Sequence, residues 1–348
     1  MFPKAWREAR AQEEFRGKAS APANIAWVKY WGKKGHQLPA NPSVSLTLDK
    51  CRTHTDLVAT PASELSVQLV FEGAEQPAFA EKIKKYLTSL STELPTLARF
   101  SYSIRSENTF PHSSGIASSA SSQAALALLL GGLLAKNSNS ELDLPGVGNL
   151  ARLGSGSACR SLFGGFVSWG ASPELAGSSD EFATQVTDVH ESFLHTRDAI
   201  LIVSSKEKEV SSRQGHTQMS AHPYAAARVV EAQEHYTATL AALKTGDWER
   251  AGEIMEADAL SLHALMMTSR PGYILLEPGS LEIIRLVRLF RRESGVPVYF
   301  TIDAGPNMHL IYPDEAHAKV EAFVRHELLR HTEQGAGVIW DQLGAGPR

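Results

Sequence analysis

Pro111–Ser122 reads PHSSGIASSASS and leads, through Gln123, into Ala124–Ala135, AALALLLGGLLA. The apolar run predicts a helix from Gly115 to about Lys136, and the small hydroxyl residues before it leave backbone N–H groups with little steric cover. Because the first turn of a helix has N–H donors without intrahelical partners and the positive end of the macrodipole, this start can hold phosphate oxygens, with ATP as the obvious anion. Ser118, Ser119 and Ser121 can add hydroxyl bonds or a Mg2+ ligand. Serines also cap ordinary core helices. The string has neither the Gly-Lys-Ser/Thr of a Walker loop nor the glycine order of a dinucleotide fingerprint, so taken alone it leaves both uses open.

The apolar run is short of the ~20 residues that a membrane span requires. Apolar on all sides, it predicts a buried helix packed on more than one face, central to a first domain. A chain of 348 residues, 43% hydrophobic and 21% charged, is long enough for two domains with separate cores. The net charge of −4, from 34 basic and 38 acidic residues, supplies no basic field for nucleic acid or an anionic membrane, so an anionic ligand must be held by a few local groups. Cys51 and Cys159 form neither a disulfide framework nor a thiolate cluster, which fits a reducing cytoplasm. The opening MFPKAWREARAQEEFRGKAS alternates charges, lacks the apolar core of a signal peptide and is expected to stay on.

Alternating or apolar runs predict strands at 43–48, 54–59, 65–71 and 100–105, a charged helix near 81–90, a helix near 145–153 and a strand at 163–169. After the polar stretch 171–180 the pattern turns to helical segments, roughly 213–243, 248–268 and 280–293, broken by Gly and Pro. Two strands, 298–302 and 309–312, flank a tight turn at 303–307, with a last helix near 314–329. The class is α+β, divided as 1–190, sheet-rich, and 191–348, helix-rich with a small sheet.

Three further stretches carry chemistry. APANIAWVKYWGKK, Ala21–Lys34, predicts a strand that ends in a cluster of Lys29, Tyr30, Lys33 and Lys34; lysines as point charges suit a polyanion, and they also suit a solvated strand end. RLGSGSACRSLFGGF, Arg152–Phe166, projects Ser155, Ser157 and Arg160 from a glycine-freed backbone. Arg160 stands in a small, apolar run where an unpaired guanidinium is costly to bury, so it calls for an anion, and its fork favours a carboxylate. TIDAGPNMHLIY, Thr301–Tyr312, puts Asp303 at the end of an apolar strand before a Gly-Pro reversal, where an acidic residue can equally be a plain turn former. A fourth stretch is EVSSRQGH, Glu209–His216. His190, His195, His216 and His222 lack tight metal-ligand spacing. His263 and the Met266–Met267 pair fall in an apolar helical pattern and are expected in the core, and Cys159 is expected to be a packed small residue.

Together, and in this order, these stretches resemble the diphosphomevalonate decarboxylase family, a branch of the GHMP kinase superfamily named for galactokinase, homoserine kinase, mevalonate kinase and phosphomevalonate kinase. The serine loop is similar to the superfamily's Pro-x-x-x-Gly-Leu/Ile-Ala-Ser-Ser-Ala; Asn-Ile-Ala-x-x-Lys-Tyr-Trp-Gly-Lys and Asp-Ala-Gly-Pro-Asn are similar to the decarboxylase branch. The resemblance implies a GHMP-kinase-like two-domain fold with the active site in the cleft, ATP and Mg2+ as cofactors, and decarboxylation of mevalonate 5-diphosphate to isopentenyl diphosphate, ADP, phosphate and CO2. It gives Asp303 the base role, Arg160 the substrate carboxylate, and Lys29 and Asn24 places near the reacting centre. Tyr30, Lys33, Ser155, Gly156, Ser157, Ser212 and Arg213 would contact substrate. Ser114, Gly115, Ala117, Ser118, Ser119, Ser121 and Ser122 would hold ATP, with Mg2+ on Ser118 or Ser119. The chain departs from the family at His216, where Met is usual, which bears on the number of substrate phosphates. A phosphomevalonate decarboxylase or mevalonate 3-kinase, and a nonenzymatic ligand sensor on the same fold, are the competing expectations. A homodimer is implied by the resemblance alone.

Overall fold

The computed structural model describes residues 2–111, 116, 118–206, 210, 212–335 and 337–348, and only the backbone of Ser212 and Arg213. The first half runs α1 (Lys4–Arg7), β1 (Phe15–Val28), a small hairpin β2 (Lys33–Lys34) and β3 (Leu38–Pro39), β4 (Ser43–Pro61), β5 (Ser66–Phe71), β6 (Ala74–Glu75), α2 (Pro77–Leu90), β7 (Phe100–Asn108), α3 (Ser118–Ser138), α4 (Leu144–Gly154), β8 (Phe166–Trp169) and β9 (Ala183–Val186). The second half runs β10 (Thr196–Leu201), α5 (Ser212–Gln218), α6 (Ala225–Thr245), α7 (Trp248–Thr268), α8 (Pro278–Ser294), β11 (Tyr299–Thr301), β12 (Met308–Pro313), α9 (His317–Phe323) and β13 (Val338–Gln342). One sheet is ordered β6-β5-β7-β4-β8-β9, with β1 also on β4; the other is ordered β11-β12-β10-β13.

The two strands expected at 43–48 and 54–59 are one. Asp49 and Lys50 look like turn residues, yet the chain bulges there within β4: pairing with β1 jumps from Asn24↔Thr47 to Pro22↔Arg52. The carboxylate of Asp341 in β13 accepts the bulge's N–H groups, from Asp49 and Lys50 at 2.9 Å and from Cys51 at 2.8 Å. A partner almost three hundred residues away thus satisfies donors that would otherwise end the strand. The segment expected as one helix over 213–243 is divided, since His222 is extended before Pro223 and α6 begins at Ala225.

α3 is long and apolar enough to cross a membrane by length and composition, but 67% of its most apolar window is buried inside the molecule. Leu126, Leu129, Leu130, Leu133 and Leu134 are all buried and join one core with Trp6, Leu57, Phe100 and Leu150, so the helix packs on several sides at once. A second apolar cluster joins the halves: Trp27 and Phe166 from the first meet Phe193, Tyr236 and Met255 from the second. His263 and Met266 are buried in α7, whereas Met267 is 43% exposed, one helical step round from the face that packs.

Candidate active site

A cavity of about 870 Å³ opens where the end of β1, the start of α3, the Gly154–Arg160 segment and the Asp303 turn converge. Lys29 follows the last residue of β1, and its side chain is only 2% exposed. Its ammonium donates to Asp303 Oδ1 at 2.9 Å and to the Ala26 carbonyl at 2.7 Å. Burial holds the Lys29 pKa below its usual value, and the Asp303 carboxylate opposes that shift. Asp303 is fixed through its carbonyl, which accepts the Gly305 N–H at 2.7 Å and lies 3.1 Å from His263 Nε2. Thr301 Oγ1, at the end of β11, donates to the same Ala26 carbonyl at 3.2 Å, so one junction sets both ends of the ion pair.

Beneath that junction lies Asp258, which carries no role in the sequence reading. It is fully buried in α7, and its carboxylate accepts the Lys29 backbone N–H at 2.7 Å, both Arg228 Nη groups at 2.8 and 2.9 Å, and His235 Nδ1 at 2.8 Å. Burial pushes its pKa up, but Arg228, His235 and the peptide N–H outweigh that and hold it below the usual carboxylate value. Arg228 Nη2 also reaches the Lys29 carbonyl at 3.3 Å, so the peptide of Lys29 is gripped on both sides. The signal in the sequence is an acid inside the apolar pattern of α7, between Met255 and Ala259.

Arg160 is 3% exposed on a 3-10 turn, Gly156–Leu162, and donates to Asn24 Oδ1 at 3.2 Å and Ser43 Oγ at 2.6 Å. Asn24 in turn donates to Ser161 Oγ at 2.8 Å and the Ser157 carbonyl at 3.4 Å. Among the described residues no carboxylate lies at ion-pair distance from this buried guanidinium, whose pKa burial lowers. Ser155, Gly156 and Ser157 also line the cavity. A Cβ at Gly156 would stand 2.9 Å from the Tyr30 hydroxyl, which gives the glycine its reason. Cys159 is packed, its Sγ 3.2 Å from the Gly156 carbonyl, and burial pushes its thiol up to about 12, so it is no nucleophile at neutral pH.

At the start of α3, Ser118, Ser119 and Ser122 line the cavity. Ser121 departs from the expectation: it is fully buried and its hydroxyl meets Thr53 Oγ1 at 2.6 Å, pinning the helix to β4 instead of facing a ligand. Helical periodicity of about 3.6 residues turns one serine of such a run inward while its neighbours face the cavity, which composition alone does not reveal. Ser114, Gly115 and Ala117 lie outside the described residues.

Across the cavity Tyr30 packs on Trp169, ring centroids 4.6 Å apart, and its hydroxyl is buried with no hydrogen-bond partner among the described residues. Lys33 lines the cavity from the β2–β3 hairpin, which Arg152 braces by donating to the His36 carbonyl at 2.7 Å. His216 lines it from α5, between the rings of Tyr30 and Trp31. His222 is structural, its Nε2 3.0 Å from the Leu265 carbonyl. Ser212 and Arg213 open α5, and their side chains lie outside the described residues. Among the described residues no three His, Cys, Asp or Glu side chains gather as a metal set.

Residues 21–183 match the family described as diphosphomevalonate decarboxylase-like N-terminal domain, and residues 199–342 match mevalonate 5-diphosphate decarboxylase C-terminal domain. Diphosphomevalonate decarboxylase of Candida albicans is 35% identical over 87% of this chain and 85% of its own; that of Saccharomyces cerevisiae is 32% identical over 89% and 81%. Mevalonate diphosphate decarboxylase from Enterococcus faecalis superposes with a TM-score of 0.82 at 30% identity, covering 97% of this chain and 99% of its own. Another solved relative, in complex with MVAPP, AMPPCP and magnesium, has a TM-score of 0.83 at 31% identity, with the same coverage. By motif order, by sequence and by fold, the chain belongs to the diphosphomevalonate decarboxylase family, on the GHMP-kinase-like fold.

Proposed function

We propose that the protein converts mevalonate 5-diphosphate and ATP to isopentenyl diphosphate, ADP, phosphate and CO2. The observation that carries this reading is the Asp303 carboxylate, held at 2.9 Å by the buried Lys29 ammonium, on the same cavity as Arg160 and the start of α3. Asp303 takes the proton of the C3 hydroxyl as that oxygen attacks the γ-phosphorus of ATP and the bond to ADP breaks. Phosphate then leaves C3 with its bonding pair, and the electrons of the carboxylate C–C bond form the double bond as CO2 departs. Arg160 holds the carboxylate that is lost, and the lack of an anionic partner for it among the described residues supports that role.

Lys29 tunes and orients Asp303, keeping one of its oxygens turned to the substrate. The hydroxyls of Ser118 and Ser119 at the cavity suit a hard cation, so these residues would hold Mg2+, which when bound neutralises charge on the phosphates. Tyr30, Lys33, Ser155, Gly156, Ser157, Ser212 and Arg213 would receive the substrate diphosphate, and the loop with Ser114, Gly115, Ala117 and Ser122 the nucleotide. Residues 1–190 and 191–348 would form the two domains of a cytoplasmic homodimer, for which the two buried free cysteines suit a reducing compartment.

The test follows ADP and CO2 separately with mevalonate 5-diphosphate and with the 5-monophosphate. Equal release of both from the diphosphate supports the reading. ADP without CO2, or turnover of the monophosphate alone, overturns it in favour of the 3-kinase or the monophosphate decarboxylase.

A further inference from the structure

His216 stands where the polyanion end of the cavity is least satisfied. Its ring lies between Tyr30 and Trp31, centroids 4.4 and 4.5 Å away at tilts of 36° and 35°. Nδ1 accepts the Gly32 N–H at 3.0 Å, so the proton of the neutral ring sits on Nε2. The fit is close: a Cβ on Gly215 would stand 2.6 Å from both Trp31 and the Tyr273 hydroxyl, which fixes how α5 seats the ring. Nε2 has no protein partner among the described residues, and the ring borders the cavity beside Lys33 and the partnerless Tyr30 hydroxyl. Burial, with Lys33 adding to it, lowers the His216 pKa to about 3, so the ring keeps this single-donor form across the physiological range.

Two donors without a protein partner among the described residues, on closely packed tilted rings beside a lysine, form a receiver for anionic oxygens. We propose that His216 is a specificity-determining residue whose Nε2–H donates to the terminal phosphate of the bound diphosphate, alongside the Tyr30 hydroxyl. This rests on the substrate reading above. A neutral donor suits the place, because it adds a directed bond to the point charge of Lys33 without a second cation repelling the first. A monophosphate is one phosphoryl group shorter and leaves Nε2–H unpaired, so the residue discriminates by phosphate number.

The experiment compares wild type with His216→Asn, which keeps an acceptor for Gly32 but loses the outer donor, and His216→Gln, which keeps a donor near the Nε2 position. Relative to wild type, His216→Asn should lower the ratio of kcat/KM for the diphosphate to that for the monophosphate by about 10- to 100-fold, mainly through KM. His216→Gln should restore most of that ratio. A ratio unchanged in His216→Asn, or equal losses for both substrates, overturns the assignment. Nitrogen-15 spectra of histidine-labelled wild type supply a readout independent of variant folding and of turnover. Nε2–H should move downfield when mevalonate diphosphate or inorganic pyrophosphate binds without nucleotide; an Nδ1–H tautomer, or no shift while calorimetry registers binding, overturns it too. If wild type gives that shift but releases no CO2 from the diphosphate, the substrate reading fails and the donor assignment stands.

Discussion

The two ends of the cavity are satisfied differently. At one end Lys29 and Asp303 neutralise each other, and Asp258 and Arg228 grip the Lys29 peptide from below. At the other the Tyr30 hydroxyl and His216 Nε2 have no protein partner among the described residues. The difference teaches where the protein sets geometry and where the ligand completes it. The pair proposed to move a proton is held in place by the protein itself, whereas the groups proposed to bind phosphate keep donors without a protein partner among the described residues.

Breaking the preorganised end should cost most. Asp303→Asn is expected to lower kcat by about 10³- to 10⁴-fold while nucleotide affinity, followed with a fluorescent ATP analogue, changes little. Near-normal phosphate release from this variant would remove Asp303 from the base role. Next comes Asp258→Asn, which leaves Arg228 buried against a neutral partner: a loss of about 3–5 kcal/mol in denaturant unfolding, from breaking a buried pair, is expected. If the variant folds, kcat should drop by up to about a hundredfold with KM nearly constant, because Lys29 shifts. Since the folded Asp258 pKa lies below the usual 3.8, the stability gap to wild type should be full above that pH and shrink as pH falls through the lowered value. A KM effect without a kcat effect would place Asp258 outside the positioning of Lys29.

Arg160 sits between the ends, buried like the first and, like the second, without an anionic partner among the described residues. Arg160→Gln should lower kcat/KM for the substrate by about 10- to 100-fold, the value of a charge-assisted bond, with ATP affinity unchanged in titrations. The smallest effect concerns pH. Lys29 is charged below its pKa, which burial holds under 10.5, so kcat should fall on the alkaline side with an apparent pKa below that figure. In Lys29→Arg the limb should move upward whatever the residual rate, and a limb that stays put belongs to another group.

The motifs that mark the family were legible because each is short and its chemistry local: Asp303 before Gly305 and Pro306, Arg160 in an apolar run, serines before an apolar helix. Asp258 was not legible as a site residue, since its partners Lys29 and Arg228 are brought to it from β1 and α6. The inward turn of Ser121 depends on the phase of α3 against β4. The join of two expected strands into β4 depends on Asp341, which no local pattern connects to Asp49.

The sequence by itself determined the α+β class, the buried helix α3 and the candidate groups for a polyanion, because periodicity and side-chain chemistry are properties of neighbours in the chain. Only the tertiary structure decided which serines face the cavity, that Lys29 rests on Asp258, and that His216 slots between Tyr30 and Trp31. Those outcomes turn on the relative placement of distant segments, which packing and buried hydrogen bonding fix once the chain has folded.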